Sequence, residues 1–486
     1  MEQEVYRPLL GGHDSTTNTE EGQEATHSDV PDNDPIHWNY ETVWILRNSF
    51  QLSATYLLSY VYSLSIIIVV SRLGTNELAA VALGVTVMNI CGYAIFEGIA
   101  TSLDTLCSQA YGSGKTKLVG LHVQRNILLM LLVSIPIGAF WICSPWILRL
   151  CIPQPELAPL AGTYLRVTLI GIPGYAVFEA GKRLLQAQGD FTGSLIILLL
   201  CVPVLVFLNW LFVFCLNWGV AGAALAVALT SNVRPVLLLL YVVFVRPSTL
   251  ECWQWPGDEL FRNWGPMVKL SVPGAIHLLC EWFAYEILTF SSSYLGIPYL
   301  AAQSILATIG VFLWHIPFSA GVAMSTRIGF YIGRGTASKA KGLLRLYAPL
   351  ILGCGLLEMT FLLLFGSNVA RLMTKDAEVR TLIIEVLPIL AIFTVGDASL
   401  SGSNGVLRGL GKQAIAAWSV FVVNYSFALP FALYLELGPP RLGLAGIWIG
   451  CAVCTALITA VEAIPMRIID WQKCVEEARG REESHI

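Results

Sequence analysis

Three acidic residues, Glu281, Glu286 and Asp397, fall inside stretches that are otherwise apolar. An ionisable group at the centre of a membrane helix costs about 2.5–3.5 kcal/mol on insertion scales, so each needs a reason to be there. A carboxylate taken out of water holds its proton more tightly and can take it up and release it near neutral pH. If the same group also meets a cationic solute, proton and solute compete for one place, which is the minimum chemistry of exchange. Glu281 and Glu286 are five residues apart, about 140° around a helix, so they face different surroundings. Glu97 and Glu358 are further acids in apolar stretches, more readily explained as structural carboxyls bonded between helices. That explanation is also the alternative for Glu281 and Asp397. Glu179 and Arg183 are four apart, and a local ion pair accounts for both.

Other chemistry is weaker. The loop Gln109–Thr116 (QAYGSGKT) resembles a phosphate-binding loop, but Gln109 stands where that pattern needs its first glycine. A tight turn is expected there instead of a nucleotide site. His277 and His315 lie singly in apolar runs and read as packed, hydrogen-bonded histidines. No histidine pair or acid cluster stands at metal-binding spacing, so no metal and no cofactor are expected. The twelve cysteines are scattered through apolar runs and read as small buried side chains. Asn424–Ser426 (NYS) matches a glycosylation triplet but falls inside a predicted span. Trp282, Phe283, Tyr285 and Trp314 are candidate cavity aromatics that could hold an organic cation by stacking and cation–π contact; helix packing would use the same residues.

The elements that position these groups follow from composition. Of 486 residues, 55% are hydrophobic and 13% charged, with a mean hydropathy of +0.66. A chain so poor in charge cannot cover itself with a polar surface, so it belongs in a lipid bilayer. Membrane helices need about twenty largely apolar residues. Spans are predicted near 44–70, 78–102, 122–147, 161–181, 194–216, 220–245, 266–291, 301–324, 346–369, 380–401, 414–436 and 443–466. About 21 Lys and Arg fall on one side of this arrangement and about seven on the other, which places both termini in the cytosol. Residues 1–41 hold about ten acids against Arg7 and are expected to form a disordered cytosolic tail. No cleavable signal pattern precedes the first span, and Tyr6–Leu10 (YRPLL) could serve as a sorting signal. Prolines 136, 173, 203, 273, 317, 388 and 430 predict kinks or hinges within spans.

The chain also reads as two copies. Leu184–Asp190 (LLQAQGD) is echoed by Val406–Lys412 (VLRGLGK), Gly219–Ala223 (GVAGA) by Gly443–Ile447 (GLAGI), and Gly112–Gly114 by Gly333–Gly335. Three blocks in one order at nearly one offset argue for duplication, and a duplicated apolar chain usually means a transporter. Six spans per copy make the halves parallel repeats. The expected domains are therefore 42–246 and 266–466, six helices each, with an aromatic interfacial cytosolic linker at 247–265 and a cytosolic C-terminal tail at 467–486. The fold class is an all-α integral membrane protein of about twelve transmembrane helices, in two six-helix lobes related by an internal pseudo-two-fold repeat.

Over about residues 42–466 the chain resembles the eukaryotic branch of the multidrug and toxic compound extrusion (MATE) family. The resemblance is carried by Leu103–Gly114 (LDTLCSQAYGSG), Gln124–Arg125, Leu185–Gln188 (LQAQ), Glu281–Glu286 (EWFAYE) and Gly405–Gly411 (GVLRGLG). It implies two six-helix lobes in a V and export of organic cations and amphipathic compounds in exchange for protons or sodium. Glu281 and Glu286 match the family's paired seventh-span glutamates, and Asp397 matches an acidic place in the tenth span. These acids make up the coupling region of the C-terminal lobe. Some animal members carry a further eighth-span glutamate where this chain has Thr308 or its neighbours. The bacterial first-span proline and aspartate are also missing, so coupling is expected in the C-terminal lobe.

The expected function is a secondary antiporter, not an enzyme, exporting amphipathic, mostly cationic organic compounds in exchange for H+, with Na+ the alternative coupling ion. Rival readings are a flippase or exporter of an anionic or lipid-linked substrate, against which few basic residues face the core apart from Arg234, and a membrane-embedded transferase, for which no nucleophile–base pair is found. The expected partners are small organic substrates and the bilayer, with no nucleic acid; a monomer in the vacuolar or plasma membrane is anticipated.

Overall fold

The computed structural model describes residues 36–151 and 154–483; the Tyr6–Leu10 pattern and most of the acidic N-terminal segment lie outside the described residues. Helices joined by turns and short loops make up what is described, with no strand among the described residues. In chain order these are α1 (Trp38–Val70), α2 (Thr75–Gly112), α3 (Thr116–Leu150), α4 (Leu157–Thr168), α5 (Ile172–Ala187), α6 (Thr192–Cys215) and α7 (Gly219–Phe244). The second half follows as α8 (Gly265–Ser291), α9 (Ile297–Gly333), α10 (Ala337–Met373), α11 (Ala377–Gly409), α12 (Gln413–Leu437) and α13 (Leu444–Ile468). Ten of these helices are long and apolar enough to cross a membrane. The exceptions are α8 and the α4–α5 pair, which a 3-10 turn at Leu169–Gly171 joins into one crossing. Both carry the charges that the sequence singles out, Glu281 and Glu286 on one and Glu179, Lys182 and Arg183 on the other. With them the spans number twelve.

Each half buries its own core. In the N-terminal lobe Phe96, Trp141, Tyr164 and Ile66 pack together; in the C-terminal lobe Leu306, Leu390, Phe393 and Trp448 do so. The duplication is visible in the backbone. Gly114 and Gly335 end the second span of each half with φ of +81° and +84°. Gly189 and Gly411 match at +81° and +73°, and Gly219 and Gly443 at +55° and +57°. A left-handed turn admits glycine at little cost, which explains why these blocks survive in both copies.

Most helices outrun the predicted spans. The second reaches Gly112 instead of stopping near 102, and the eighth reaches Gly333 instead of stopping near 324. These extensions meet across the lobe boundary on the face where α1 begins and α13 ends, here named the base. Close backbone approach holds them: a Cβ on Gly112 would strike Phe330 and one on Gly333 would strike Gln109; further along α2, inside the predicted span, one on Gly98 would strike Gly274 and Ala275 of α8. Small residues at such crossings let membrane helices pack tightly. Two prolines coincide with relaxed helix geometry, since a 3-10 turn precedes Pro173 and a π turn at Asn424–Ala428 precedes Pro430.

The ends of the body differ from a plain tail at either terminus. Helix α1 starts at Trp38, and Glu41, expected in the acidic tail, is buried against Arg327 and Tyr331 of α9. A further helix, α14 (Trp471–Glu483), follows α13 and buries Trp471, Cys474, Val475 and Ala478 against Ile328, Ile332, Val406 and Leu410. The connection between the halves contains 3-10 turns at Pro247–Cys252 and Asp258–Phe261. It is pinned to α3, where Gln124 Nε2 donates to the Gln254 carbonyl and Arg125 Nη2 to that of Glu259, both at 2.6 Å.

Candidate functional site

The C-terminal lobe gathers carboxyls. Glu281 on α8 is buried, with Oε2 3.7 Å from His277 Nε2 one turn away. His277 Nε2 lies 3.4 Å from Asn404 Nδ2 of α11. Asp397, also on α11 and 3% exposed, stands within electrostatic reach of Glu281. Glu358 on α10 lies within reach of Asp397, and Glu462 on α13 within reach of Glu281. Glu462 is fully enclosed and takes the Ser403 hydroxyl as its donor. Four helices thus bring four carboxyls to one neighbourhood, where the charge of Arg408 is the basic influence on Glu281. Such a group of acids can hold protons or a cation and cannot ionise all together.

A polar stripe leads away from this cluster. Asp397, Ser401, Asn404 and Arg408 recur at intervals of four, three and four residues on α11, all buried. That spacing puts them on one helix face, spanning about 16 Å. The stripe ends at the lobe boundary. Arg408 Nη1 donates to Asp104 Oδ2 of α2 at 3.1 Å, and Arg183 Nε of α5 donates to Asp104 Oδ1 at 3.2 Å. Arg183 Nη1 also meets Glu179 at 3.0 Å, the pair expected from their spacing, and Lys182 completes the group at 2.7 Å from Glu179. Glu97 stands within electrostatic reach of Glu179, Lys182, Arg183 and Arg408. Around the ion pair, Thr105 Oγ1 donates to the Arg408 carbonyl and Gln109 Nε2 to the Gly409 carbonyl.

Helix α14 crosses the outside of this closure. Arg481 Nη2 donates to Gln109 Oε1 of the N-terminal lobe at 2.9 Å, and Glu482 sits 3.3 Å from Lys115 of the same lobe. On the other side Glu477 meets Lys412 of the C-terminal lobe at 2.7 Å. Lys115, the lysine of the phosphate-loop lookalike, therefore serves a contact between α14 and the turn after α2.

Not every predicted site residue joins the cluster. Glu286 lies on an exposed face of α8, as its angular separation from Glu281 anticipates. Tyr285 does border the cluster, within electrostatic reach of Asp397 and Glu281, and stands edge-on to Phe393, which in turn packs on Trp448; Trp282 is half-buried. Trp314 stacks on Phe318 at 4.4 Å and borders His315, which packs against Tyr56 and Tyr60 of α1. It belongs to the α1–α9 boundary between the lobes. Sequence reading missed Glu462, Asp104 and Arg408 as members of a site. Glu462 had the signal of any acid inside a predicted span, whereas Asp104 falls just past the predicted end of one.

The comparisons with known proteins agree on one family. The MatE family model matches twice, over residues 52–211 and 273–434, once in each half. An uncharacterized transporter of Schizosaccharomyces pombe is 35% identical over 91% of this chain and 83% of its own length. One from Saccharomyces cerevisiae is 38% identical over 90% of the chain, which spans 62% of that relative. Multidrug and toxin extrusion protein 1 of Xenopus tropicalis is 31% identical over 88% of the chain and 75% of its own length. The crystal structure of the eukaryotic MATE transporter AtDTX14 superposes with a TM-score of 0.84 at 26% identity, covering 91% of this chain and 99% of that one. With a duplicated helical body, two family matches and these relatives, the chain belongs to the MATE family, in its eukaryotic branch, and is a secondary transporter rather than an enzyme.

Proposed function

We propose that this transporter is a proton-coupled antiporter that exports amphipathic, mostly cationic organic compounds. The observation that carries it is the buried acid cluster of Glu281, Asp397, Glu358 and Glu462 in the C-terminal lobe. Glu281 and Asp397 act as the exchange pair, with Glu286 on the exposed face of α8 as a further cation contact. A proton arriving at the pair displaces the organic cation, and its loss readmits the next one. The base, with its excess of Lys and Arg, faces the cytosol, as do both chain ends. The protein works as a monomer in the vacuolar or plasma membrane, without a bound cofactor. For electroneutral one-for-one exchange, each pH unit supplies about 1.4 kcal/mol, enough for roughly tenfold accumulation.

The test is counterflow of a fluorescent organic cation in proteoliposomes under an imposed pH or sodium gradient. Uptake driven by the pH gradient and indifferent to sodium is expected. Drive by sodium alone would replace the coupling ion, and drive by neither would overturn the antiport proposal.

A further inference from the structure

Arg234 sits near the middle of α7, 6% exposed; Glu179 stands within electrostatic reach of it, but no carboxylate makes contact with it. Three other buried arginines each hold a carboxylate: Arg183 and Arg408 hold Asp104, and Arg327 holds Glu41. Arg234 makes no ion pair with a carboxylate; its guanidinium lies within hydrogen-bonding reach of the Tyr62 hydroxyl and the Cys201 thiol, and its Nε is enclosed without a partner. Its guanidinium lies over the Tyr62 ring at 4.6 Å and 5.8 Å from the Phe178 ring. The Tyr62 hydroxyl is enclosed beside it, within reach of Arg234 and Thr230. Thr230 and Ser231, one turn earlier, are already donating to Ala226 and Val227 of their own helix. Glu179 is occupied by Lys182 and Arg183.

A guanidinium stays charged and presents five donors in a planar fork suited to a carboxylate. Cation–π contact offsets at most a part of the cost of holding such a charge away from water. A permanent cation with its Nε idle and no carboxylate in contact, walled by aromatic rings, lacks an anion. We infer that Arg234, with the Tyr62 hydroxyl beside it, forms an anion site in the N-terminal lobe for the carboxylate of an aromatic organic acid. The guanidinium fork and the hydroxyl bind the carboxylate, and the stacked Tyr93–Tyr175 pair, rings 4.1 Å apart, adds an aromatic wall for the rest of the molecule. The two lobes then recognise opposite charges, acids in one and this arginine in the other, so organic anions or zwitterions join the solutes the protein handles. Chloride satisfies the same charge and is the competing occupant.

The test uses the full chain in nanodiscs and equilibrium dialysis of radiolabelled benzoate, in a zwitterionic buffer of low ionic strength with and without chloride. Saturable binding without chloride is expected, weakened at least tenfold by Arg234→Gln and several-fold by Tyr62→Phe, and unchanged by Lys269→Ala on an exposed position. Should Arg234→Gln fail to give monodisperse protein, Tyr62→Phe and Arg234→Lys carry the test, since lysine keeps the charge but loses the fork and should weaken binding several-fold. Partial competition by chloride supports a shared site. Absence of saturable benzoate binding to the unaltered protein overturns the inference, whether or not labelled chloride binds. So does equal binding by the Arg234 and Tyr62 variants. Neither outcome touches proton-driven cation uptake, which reports on the other lobe.

Discussion

Arg408 of α11 reaches across the lobe boundary to Asp104 of α2, Nη1 to Oδ2 at 3.1 Å, and shares that carboxylate with Arg183. The three side chains are almost wholly enclosed. One acid therefore balances two guanidiniums from different lobes, at the end of the α11 stripe that begins at Asp397. Movement of the lobes at the base has to break or exchange this contact, and the acid cluster is one helix face away from it.

The two ends of that contact should not be equivalent. Asp104→Asn leaves Arg408 without its paired carboxylate and Arg183 with Glu179 alone, and removing one partner of a buried pair costs about 3–5 kcal/mol. Arg408→Gln leaves Asp104 still paired with Arg183, so its cost should be smaller. Thermal unfolding in detergent should show a clearly lower midpoint for Asp104→Asn than for Arg408→Gln. Equal midpoints would count against a shared carboxylate.

Contact between the lobes also depends on bare backbone approach. Gly98→Val puts side-chain atoms into the Gly274–Ala275 backbone of α8, which cannot yield as a flexible side chain can. Transport should fall by tenfold or more while the protein still reaches the membrane. Gly353→Val on α10 meets nothing within 4 Å and serves as the control, with near-normal transport expected. Equal loss in both variants would point to a general intolerance of bulk.

Much of this architecture can be read from the chain because its signals are local. Apolar runs mark spans, and left-handed turns demand glycine, so Gly114, Gly189 and Gly219 mark the same joints as Gly335, Gly411 and Gly443. The reading stops where a partner is far away in sequence. Nothing near Asp104 announces Arg408, 304 residues on, and nothing near Glu41 announces Arg327. Hydropathy also ends a helix where charge begins, although α2 and α9 continue because the other lobe, not water, receives their polar residues. Trp314 is a candidate cavity aromatic by residue type; its neighbours Phe318 and His315 are local on α9, whereas the contact of His315 with Tyr56 and Tyr60 comes into view only with the packing of α1 on α9.

Helix α14 offers a pH-dependent contact outside the membrane. Burial raises the Glu482 carboxyl above its ordinary range, while Ser113, Lys115 and Arg481 pull it back. A carboxyl whose docked value lies above its free one favours docking below the free value, and that contribution is lost as pH rises through the docked value. Amide exchange of Trp471–Glu483, corrected for intrinsic rates, should therefore be slower near about pH 5 than near about pH 8. Glu482→Gln should flatten the difference. Lys115→Ala removes a partly exposed pair and should leave transport largely intact; a pH response unchanged by Glu482→Gln would assign it to another group.

The acids of the C-terminal lobe make the sharpest claim on function. If Glu281 and Asp397 exchange a proton for a cation, each must be able to change charge, and an amide of the same shape cannot. Glu281→Gln and Asp397→Asn should then abolish pH-driven uptake while the protein reaches the membrane and folds. Glu358 and Glu462 lie at the edges of the cluster, one reaching Asp397 and the other Glu281. Neutralising either should shift the pH dependence of uptake and leave coupled transport measurable, because the central pair keeps its proton site. Removing the Asn404 amide with Asn404→Leu should slow transport severalfold, since it interrupts the stripe between the acids and Arg408 without removing a charge. Uptake assays across external pH, scaled to surface expression, separate these outcomes. Lost expression of Glu281→Gln and Asp397→Asn would assign those carboxyls to structure, and normal gradient-driven uptake by both would move the coupling site to Glu286, Glu358 or Glu97.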